Sequence, residues 1–315
     1  MRITEVDVYP ISVPYRVPWR NRHTEEAGRP MTHLETSVLV VRTDSGIDGL
    51  GEAKGEDVPD LVRDRVTPFL RGRDPLQISR LVVDLETEFG RSRLVAGIDF
   101  ALHDIAGKAL NVPVYQLLGG KFRDRVPLVW TLPYLSIEDQ VTEAKARFNE
   151  GFNHAIKMKV GVPGDLDHIL AVARAVPGVP IRPDSNMGHS KDEALEQYRE
   201  LLTHGVALEL VEDPCPADWD DFQELADALG IHISVHGGWS TSDDLMDLIN
   251  ARKPGIRCVN VMPTEWGIFR TIQIVSALEC AGIGWTMGTS HASGIKIAAS
   301  LHLGTALPNR LYPAR

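Results

Sequence analysis

Six short apolar segments recur at a nearly constant interval from residue 154 onward. They begin at residues 154, 181, 207, 231, 258 and 283, so the spacing is 24–27 residues. Amphipathic stretches such as residues 191–202 and 220–229 fill the intervals and have the apolar spacing of helices. A parallel strand, a returning helix and two short loops need about this length. The interval therefore predicts consecutive strand–helix units on a parallel sheet, which is an α/β fold.

The number of these units favours a barrel over an open sheet. With a further strand at residues 126–134, seven strands precede a final helix that begins near Gly294. This is close to the eight units of a (β/α)8 barrel, although the eighth unit is cramped. The alternative is a doubly wound open sheet, which is typically accompanied by a glycine-rich phosphate-binding motif after its first strand, and none is found there. We predict a modified (β/α)8-type barrel over residues 126–315.

The first third of the chain has a different pattern. Residues 3–13 alternate, residues 34–43 form a β-branched run, and the turn Asp44-Ser45-Gly46 leads into a short strand at residues 47–52. Strands that are joined by a tight turn pair antiparallel. From residue 59 to about residue 119 the apolar spacing becomes helical. Strands followed by helices predict a separate α+β domain over residues 1–125.

Charge and composition exclude several classes of protein. The formal net charge of −10 argues against a nucleic-acid-binding protein, which would need clustered Lys and Arg to neutralise phosphates. No apolar run approaches the roughly 18 residues that span a bilayer. Cys215, Cys258 and Cys280 form neither a CxxC motif nor an even set for disulfides. We therefore expect a cytoplasmic protein with neither nucleic acid nor membrane among its partners.

Polar residues with catalytic chemistry stand where five of the predicted strands end. In a barrel of this type, the carboxyl ends of the strands carry the catalytic groups. The residues at these ends are Lys157, Lys159, Asp184, Glu212, His236 and His291. Each residue alone is compatible with an ordinary role, such as a helix N-cap, a surface ion pair or a packed loop residue. Their coincidence at one point of the repeat is what predicts a functional site.

The carboxylates and the amine indicate a metal-assisted proton transfer. Asp184 and Glu212 end adjacent strands and offer the hard oxygen ligands that Mg²⁺ accepts. A divalent cation next to Lys159 would lower the pKa of its amine and suit it to act as a general base. His291 follows a strand several positions further round the barrel, so we expect it on the opposite side of a bound substrate.

Longer motifs surround these residues. Residues 99–125 read DFALHDIAGKALNVPVYQLLGGKFRDR, residues 40–52 read VVRTDSGIDGLGE, and residues 294–308 read GIKIAASLHLGTALP. Together with the Lys-x-Lys that ends in Lys159, the Asp-x-Asn that begins with Asp184 and the Glu-Asp-Pro that begins with Glu212, these segments resemble the mandelate racemase and muconate lactonizing enzyme branch of the enolase superfamily. The resemblance implies that residues 1–125 form a capping domain on the barrel.

The resemblance also implies a shared chemistry. In this family a carboxylate substrate bound to a divalent metal loses its α-proton, and the metal stabilises the resulting enediolate. Lys159 would be the base, His291 would be the acid or a second base, and Lys157 would polarise the substrate carboxylate. The metal ligands would be Asp184, Glu212 and His236.

One departure from the family pattern concerns the metal. His236 stands where the family usually has a third carboxylate ligand. A neutral imidazole is a softer ligand, which suits Mn²⁺ better than it suits Mg²⁺. The carboxylates of Asp184 and Glu212 still favour Mg²⁺, which we expect as the first choice. The imidazole of His236 makes Mn²⁺ the second choice.

A second departure concerns the sixth barrel strand. The family has a catalytic lysine or aspartate there, and the matching position in this chain is Met262. A thioether transfers no proton, so His291 lacks the aspartate that would orient it. Glu265 is the candidate substitute.

These residues leave several reactions open. Two proton-transfer groups allow an isomerase of the racemase, epimerase or cycloisomerase type, and they also allow a lyase of the acid-sugar dehydratase type. The substrate would be a hydroxy acid, a sugar acid or an amino-acid derivative. The alternatives are a Schiff-base aldolase that uses Lys159, and a catalytically impaired barrel, favoured by Met262 and Gly237, that acts as a binding or structural protein. We further expect a homo-oligomer, with substrate specificity in the loops at residues 19–30 and 54–59.

Overall fold

The first third of the chain folds around a three-stranded antiparallel sheet in the order β1-β2-β3. The structure is a computed structural model that describes residues 1–309 and 312–314. The strands are β1 (Ile3–Trp19), β2 (Met31–Thr43) and β3 (Gly49–Ala53), and helix α1 (Arg22–Glu26) lies between the first two. Strand β1 extends past its predicted end at residue 13, because β2 also begins early and Trp19 pairs with Met31. Part of the predicted loop at residues 19–30 is therefore strand and helix.

Helices pack against this sheet. They are α2 (Val58–Leu61), α3 (Thr67–Leu70), α4 (Ile78–Phe89), α5 (Arg93–Leu110) and α6 (Val114–Leu117), with a π-helical turn at Val62–Val66 between α2 and α3. Helix α5 is buried along most of its length. Leu39, Val41 and Ile98 belong to the apolar core that the sheet and helices enclose, and this core is separate from that of the barrel. The predicted division between residues 125 and 126 stays a prediction.

Two glycines allow β3 to lie directly on α5. A Cβ atom on Gly49 would come within 2.0 Å of the Ala101 carbonyl oxygen, and one on Gly51 within 2.0 Å of the Gly97 carbonyl oxygen. Only residues without a side chain permit two backbones to approach so closely. The Gly-x-Gly of the hairpin is therefore a packing requirement, and it fixes the position of the next residue, Glu52.

Within the described residues, the rest of the chain forms a curled sheet of seven parallel strands. They are β4 (Trp130–Leu132), β5 (Ile156–Lys159), β6 (Ile181–Asp184), β7 (Val211–Glu212), β8 (Ile233–Val235), β9 (Ile256–Val261) and β10 (Gly284–Met287). The helices between and after them are α7 (Ile137–Asn149), α8 (Asp165–Ala175), α9 (Lys191–Thr203), α10 (Trp219–Leu229), α11 (Ser242–Ala251), α12 (Pro263–Cys280) and α13 (Gly294–Ala306). Strands that follow one another in sequence are neighbours in the sheet, which confirms the predicted fold class and excludes the doubly wound alternative. None of the described helices is both long and apolar enough to cross a bilayer.

A short segment, residues 312–314, occupies the eighth position of the ring. The Tyr312 backbone N–H donates to the Trp285 carbonyl oxygen of β10 at 2.8 Å. On its other side, Ala314 forms two backbone hydrogen bonds of 2.7 Å, one with Pro127 and one with Val129, just before β4. The segment thus joins the first and last strands of the sheet and closes the barrel.

A buried arginine supports this closure from inside the barrel. The Arg182 side chain is 1% exposed and donates to the Pro313 carbonyl oxygen at 3.0 Å. Its Nε donates to the Glu209 carboxylate at 2.9 Å, so the charge is paired. Arg182 therefore ties the middle of the sheet to the closing segment.

We expect Gly51→Ala to destabilise the fold and the neighbouring Leu50→Ala to leave it nearly unchanged. The added methyl group would meet the Gly97 carbonyl oxygen, and overpacking of this kind costs about 1–3 kcal/mol. The Leu50 side chain is exposed. Urea unfolding followed by circular dichroism measures both free energies of unfolding, and equal stability of the two variants would contradict the packing role of Gly51.

Candidate active site

The carboxyl ends of β5, β6 and β7 bring four charged side chains together. In the register of these strands, Lys159 lies opposite Asp184, and Asp184 lies opposite Glu212. Lys157 precedes Lys159 by two residues, so both lysines are on the same face of the sheet. At most 5% of the surface of any of these side chains is exposed. Four of the six residues singled out in the sequence therefore form one buried cluster.

The members of this cluster are joined by short ion pairs. Lys157 Nζ lies 2.8 Å from Asp184 Oδ2 and 2.6 Å from Glu212 Oε2. Lys159 Nζ lies 2.6 Å from Asp184 Oδ2 and 2.9 Å from Asn186 Oδ1. Two carboxylates thus converge on one cationic atom, and hard oxygen donors that converge in this way fit a divalent cation.

The charges of the cluster determine the protonation of its carboxylates. Burial by itself raises the pKa of Asp184, but the ammonium groups of Lys157 and Lys159 outweigh it and hold that pKa below its ordinary value. Burial and the Asp184 charge raise the pKa of Glu212, yet Lys157 and His236 bring the net shift below the ordinary value. Both carboxyl groups are therefore ionised at neutral pH, which is the form that binds cations.

Asp213, the residue after Glu212, behaves differently. Burial, together with the charges of Glu212 and Asp184, raises its pKa to about 7. Its carboxylate accepts hydrogen bonds from the backbone N–H groups of His236 at 2.8 Å and of Gly237 at 3.0 Å. Asp213 therefore fixes the loop that carries His236. The sequence signal for this role was the Glu-Asp-Pro motif, whose middle residue we did not predict as functional.

His236 lies in the barrel mouth and is half-buried. The loss of solvation there lowers its pKa and favours the neutral imidazole, which is the form that binds metals. Among the described residues, the side chains of Glu212, Asp213 and His236 have ligand atoms that lie within 4.8 Å of one another. Asp184 is not a member of this group and is linked to Glu212 through Lys157. The candidate ligand atoms near Glu212 therefore include the Asp213 carboxylate, which was not predicted as a ligand from the sequence.

Strand β9 adds an amide and a thioether to the site. The Asn260 side chain is 3% exposed, and its Nδ2 donates to Glu212 Oε1 at 2.8 Å. Met262, the residue that follows β9, is buried beside Gly288. Sequence reasoning missed Asn260, although it lies only two residues before Met262 and both side chains lie next to Gly288.

His291 lies where the barrel meets the N-terminal domain. It follows β10 in a backbone conformation with φ of 57°, next to Ser290 with φ of 44°. Its ring packs against two aromatic side chains of β1, with centroids 5.5 Å from Tyr15 and 5.1 Å from Trp19. The candidate orienting residue Glu265 has a different partner, because its Oε2 lies 2.7 Å from Arg93 Nε. The N-terminal domain therefore provides the surroundings of His291.

A buried carboxylate of the N-terminal domain holds the same loop. Glu52, which is fully buried, accepts hydrogen bonds from the Ser293 backbone N–H at 3.1 Å and from the Ser293 hydroxyl at 2.5 Å. Lys296 at the start of α13 is 2% exposed, and its Nζ lies 3.9 Å from Glu52 Oε1. Since Ser293 is two residues from His291, Glu52 determines the position of the loop that carries the histidine.

We expect Glu52→Ala to destabilise the protein by about 3–5 kcal/mol, because it leaves the buried Lys296 without its counter-ion. The double variant Glu52→Ala, Lys296→Met removes both charges and should lose less stability than the single variants Glu52→Ala and Lys296→Met together. Urea unfolding of the double-mutant cycle measures this coupling. Strictly additive effects would show that the pair does not interact.

Two family models together match most of the chain. Residues 14–119 match the N-terminal domain of mandelate racemase and muconate lactonizing enzyme, and residues 139–315 match the enolase C-terminal domain-like model. A chloromuconate cycloisomerase from Cupriavidus necator is 27% identical over 99% of this chain and 86% of that protein. An N-succinyl-L-Arg/Lys racemase from Bacillus cereus is 27% identical over 96% of this chain and 84% of that protein.

Solved structures share the fold. The crystal structure of N-succinyl Arg/Lys racemase from Bacillus cereus superimposes with a TM-score of 0.88 at 25% identity, covering 99% of this chain and 87% of that one. An enolase from Thermobispora bispora, crystallised with magnesium and formate, superimposes with a TM-score of 0.85 at 26% identity, covering 100% of this chain and 81% of that one.

Proposed function

We propose that this chain, which belongs to the mandelate racemase and muconate lactonizing enzyme family, removes the α-proton of a small carboxylate substrate with Lys159 as the base. The observation that carries the proposal is the buried cluster of two lysines and two carboxylates at adjacent strand ends. Asp184 and Asn186 hold the Lys159 amine at one point of the barrel mouth. The relatives are named as a cycloisomerase and a racemase, which agrees with an isomerase of the enolase superfamily.

A divalent metal would be held by Asp184 and Glu212, with His236 as the third protein ligand and Asp213 close enough to replace it. Mg²⁺ is the first choice, since carboxylate oxygens are hard donors and one structural relative was crystallised with magnesium. An imidazole ligand would also suit Mn²⁺. When bound, the metal stabilises the negative charge that develops on the substrate as its α-proton leaves.

The two lysines have different tasks in this mechanism. Lys157 Nζ lies between the two carboxylates and supplies positive charge where the substrate carboxylate would bind. Lys159 must be neutral to accept a proton, and a divalent cation beside it favours the neutral amine. Lys159 then takes the α-proton at Nζ.

His291 would act from the other side of the substrate. It follows β10, which is separated from β5 by the four strands β6 to β9 in the sheet order. A proton delivered by His291 to the second face of the α-carbon gives racemisation or epimerisation, and a proton delivered to a leaving hydroxyl gives dehydration. The names of the relatives favour isomerisation.

The other readings have less support. A Schiff-base aldolase would use Lys159 but gives no reason for Asp184 and Glu212 to be buried beside it. A barrel that only binds ligands would account for Met262 but not for the family's lysines and carboxylates at these strand ends. Homo-oligomerisation and a cytoplasmic location remain predictions, and light scattering of the purified chain tests the first.

Asp184→Ala and Glu212→Ala should each abolish the binding of Mg²⁺ and Mn²⁺, because each removes a charged ligand. Isothermal titration calorimetry measures the affinity, and circular dichroism shows whether the fold survives. Asp184→Asn and Glu212→Gln keep the shape if the alanine variants unfold. Glu224→Ala is the matched control, since it removes an exposed carboxylate that pairs with Lys191 on the outer helices. Undiminished affinity in both site variants would contradict the assignment.

Lys159→Ala should stop exchange of the substrate α-proton with deuterated water, whereas His291→Asn should leave that exchange measurable and block turnover of the same enantiomer. Each lost acid–base group costs roughly 10²–10⁴-fold in its own step. Nuclear magnetic resonance follows the exchange over a panel of hydroxy acids, sugar acids and amino-acid derivatives. If His291→Asn turns substrate over at the parent rate, the two-sided mechanism is wrong.

A further inference from the structure

A groove of about 660 Å³ opens at the end of the barrel opposite the candidate active site. It lies between the C-terminal ends of α11 and α12, where Ile256 begins β9 and Ile283 precedes β10. These are the amino ends of the strands, whereas the catalytic residues of such a barrel come from the carboxyl ends. The groove has the volume of a small-molecule site, and a ligand bound there would be separate from the substrate.

The floor of this groove is apolar. Met246 and Ile249 come from α11, and Ala277 comes from α12. Met246 is 45% exposed although it is a large apolar side chain. Removing apolar surface of this kind from water is favourable in proportion to the area that is covered. The floor therefore suits a short hydrocarbon chain or an apolar ring.

The charged residues that line the groove are all positive. They are Arg252, Lys253 and Arg257, and no carboxylate is present among the described lining residues. This lining differs from the chain as a whole, whose formal net charge is −10. Lys253 is paired with Asp220 of α10. The exposed side chains of Arg252 and Arg257 form neither an ion pair nor a hydrogen bond with any described residue, so their guanidinium groups remain for an anion.

The segment that carries these cations is held in place by α10. The Gly255 backbone N–H donates to Gln223 Oε1 at 2.8 Å, and a Cβ atom on Gly255 would come within 2.4 Å of the Ala226 Cβ atom. The Ile256 backbone N–H donates to the Lys253 carbonyl oxygen at 3.0 Å. A site whose backbone is already ordered loses less conformational freedom when a ligand binds.

Arg252 stands at a backbone position that does not favour an arginine. It ends α11 in the left-handed region with φ of 49°. Two other helices end in the same conformation, α10 at Gly230 with φ of 64° and α5 at Asn111 with φ of 53°. Glycine and asparagine suit this position, because a larger residue crowds its own backbone there. The helix end therefore does not explain the arginine, whereas a role for its charge in the groove does.

We infer that this site, which we call the α11–α12 groove, binds an amphipathic anion, a small molecule with a carboxylate or phosphate head and an apolar tail. The head pairs with Arg252 and Arg257, since a guanidinium group can donate two parallel hydrogen bonds to either kind of anion. The tail covers Met246 and Ile249. The inference does not depend on the proposed α-proton chemistry, because the two sites lie at opposite ends of the barrel.

Three probes with linear tails of similar length test the inference on the full chain. They are octyl phosphate, octanoate and 1-octanol, each used below the concentration at which it aggregates. Calorimetry should show that at least one of the anions binds roughly 10–100-fold more tightly than 1-octanol, the range expected for a charge-assisted hydrogen-bonded pair. The tighter anion identifies the head group. Arg252→Gln and Arg257→Gln should each reduce this preference, and inorganic phosphate, which has no tail, should bind more weakly than octyl phosphate.

Cys280 shows where the probe binds. It lines the groove and is exposed, while Cys215 and Cys258 are buried. Iodoacetamide is a neutral reagent, and mass spectrometry measures how fast it alkylates Cys280. This rate should fall in proportion to the fraction of chains that hold the tighter anion. An anion bound at the lysines of the barrel mouth would leave the rate unchanged.

Arg174→Gln is the matched control, since Arg174 is an exposed arginine in the last turn of α8 and does not line the groove. Arg252→Gly suits the left-handed helix end, so it should leave the free energy of unfolding in urea at least as high while it weakens the binding of the anion.

No binding of either anion, equal affinities for the anions and 1-octanol, or unchanged alkylation of Cys280 at saturation would overturn the inference. The same response to Arg252→Gln and Arg174→Gln would also overturn it. So would alkylation of Cys280 that slows as the concentration of the unliganded chain is raised, because a second copy of the chain would then cover the groove.

Discussion

The pairing of Lys157 and Lys159 with Asp184 and Glu212 is the interaction on which the barrel mouth depends. The fold removes four charges from water, and such groups are tolerated only when each faces an opposite charge with good hydrogen-bond geometry. Here two ammonium groups meet two carboxylates at 2.6–2.8 Å, so the positive and negative charges balance. The same contacts hold the carboxylates ionised, and they hold the amines at fixed points in the barrel mouth.

The N-terminal domain is part of the site as well as its cover. Tyr15 and Trp19 pack against His291, and Glu52 binds the loop in which His291 lies. The position of Glu52 depends in turn on the close approach of β3 to α5, which the hairpin glycines permit. The geometry of the proposed acid therefore depends on packing in a different domain from the one that carries the base.

Much of this architecture could be predicted from the sequence, because its regularities are local. The 24–27 residue interval located the barrel strands, and the alternation within a strand put Lys157 and Lys159 on one face. Strand β1 was predicted too short because its last residues are extended by pairing with β2, which no local pattern reveals. The closing role of residues 312–314 has no local signal either, since three residues are too few to show a strand pattern.

The missed features of the site have a common physical reason. Asn260 matters through a contact with Glu212, and Asp213 matters through its hydrogen bond with the His236 backbone; both contacts join residues far apart in sequence. Such partners are set by tertiary packing alone. Glu265 is the converse case. Its place in the sequence suggested that it orients His291, whereas the fold pairs it with Arg93.

The closing segment has a consequence for the order in which the chain folds. Hydrogen bonds between Ala314 and residues 127 and 129 connect parts of the chain that the ribosome makes far apart in time. Until residues 312–314 emerge, the residues before β4 and one side of β10 lack their partners in the ring, and Arg182 lacks the Pro313 carbonyl. Unpaired strand edges bind other chains readily. A chain that lacks residues 312–314 would therefore have a nearly complete barrel with its sheet open, a species prone to aggregate although almost every other contact of the fold is present.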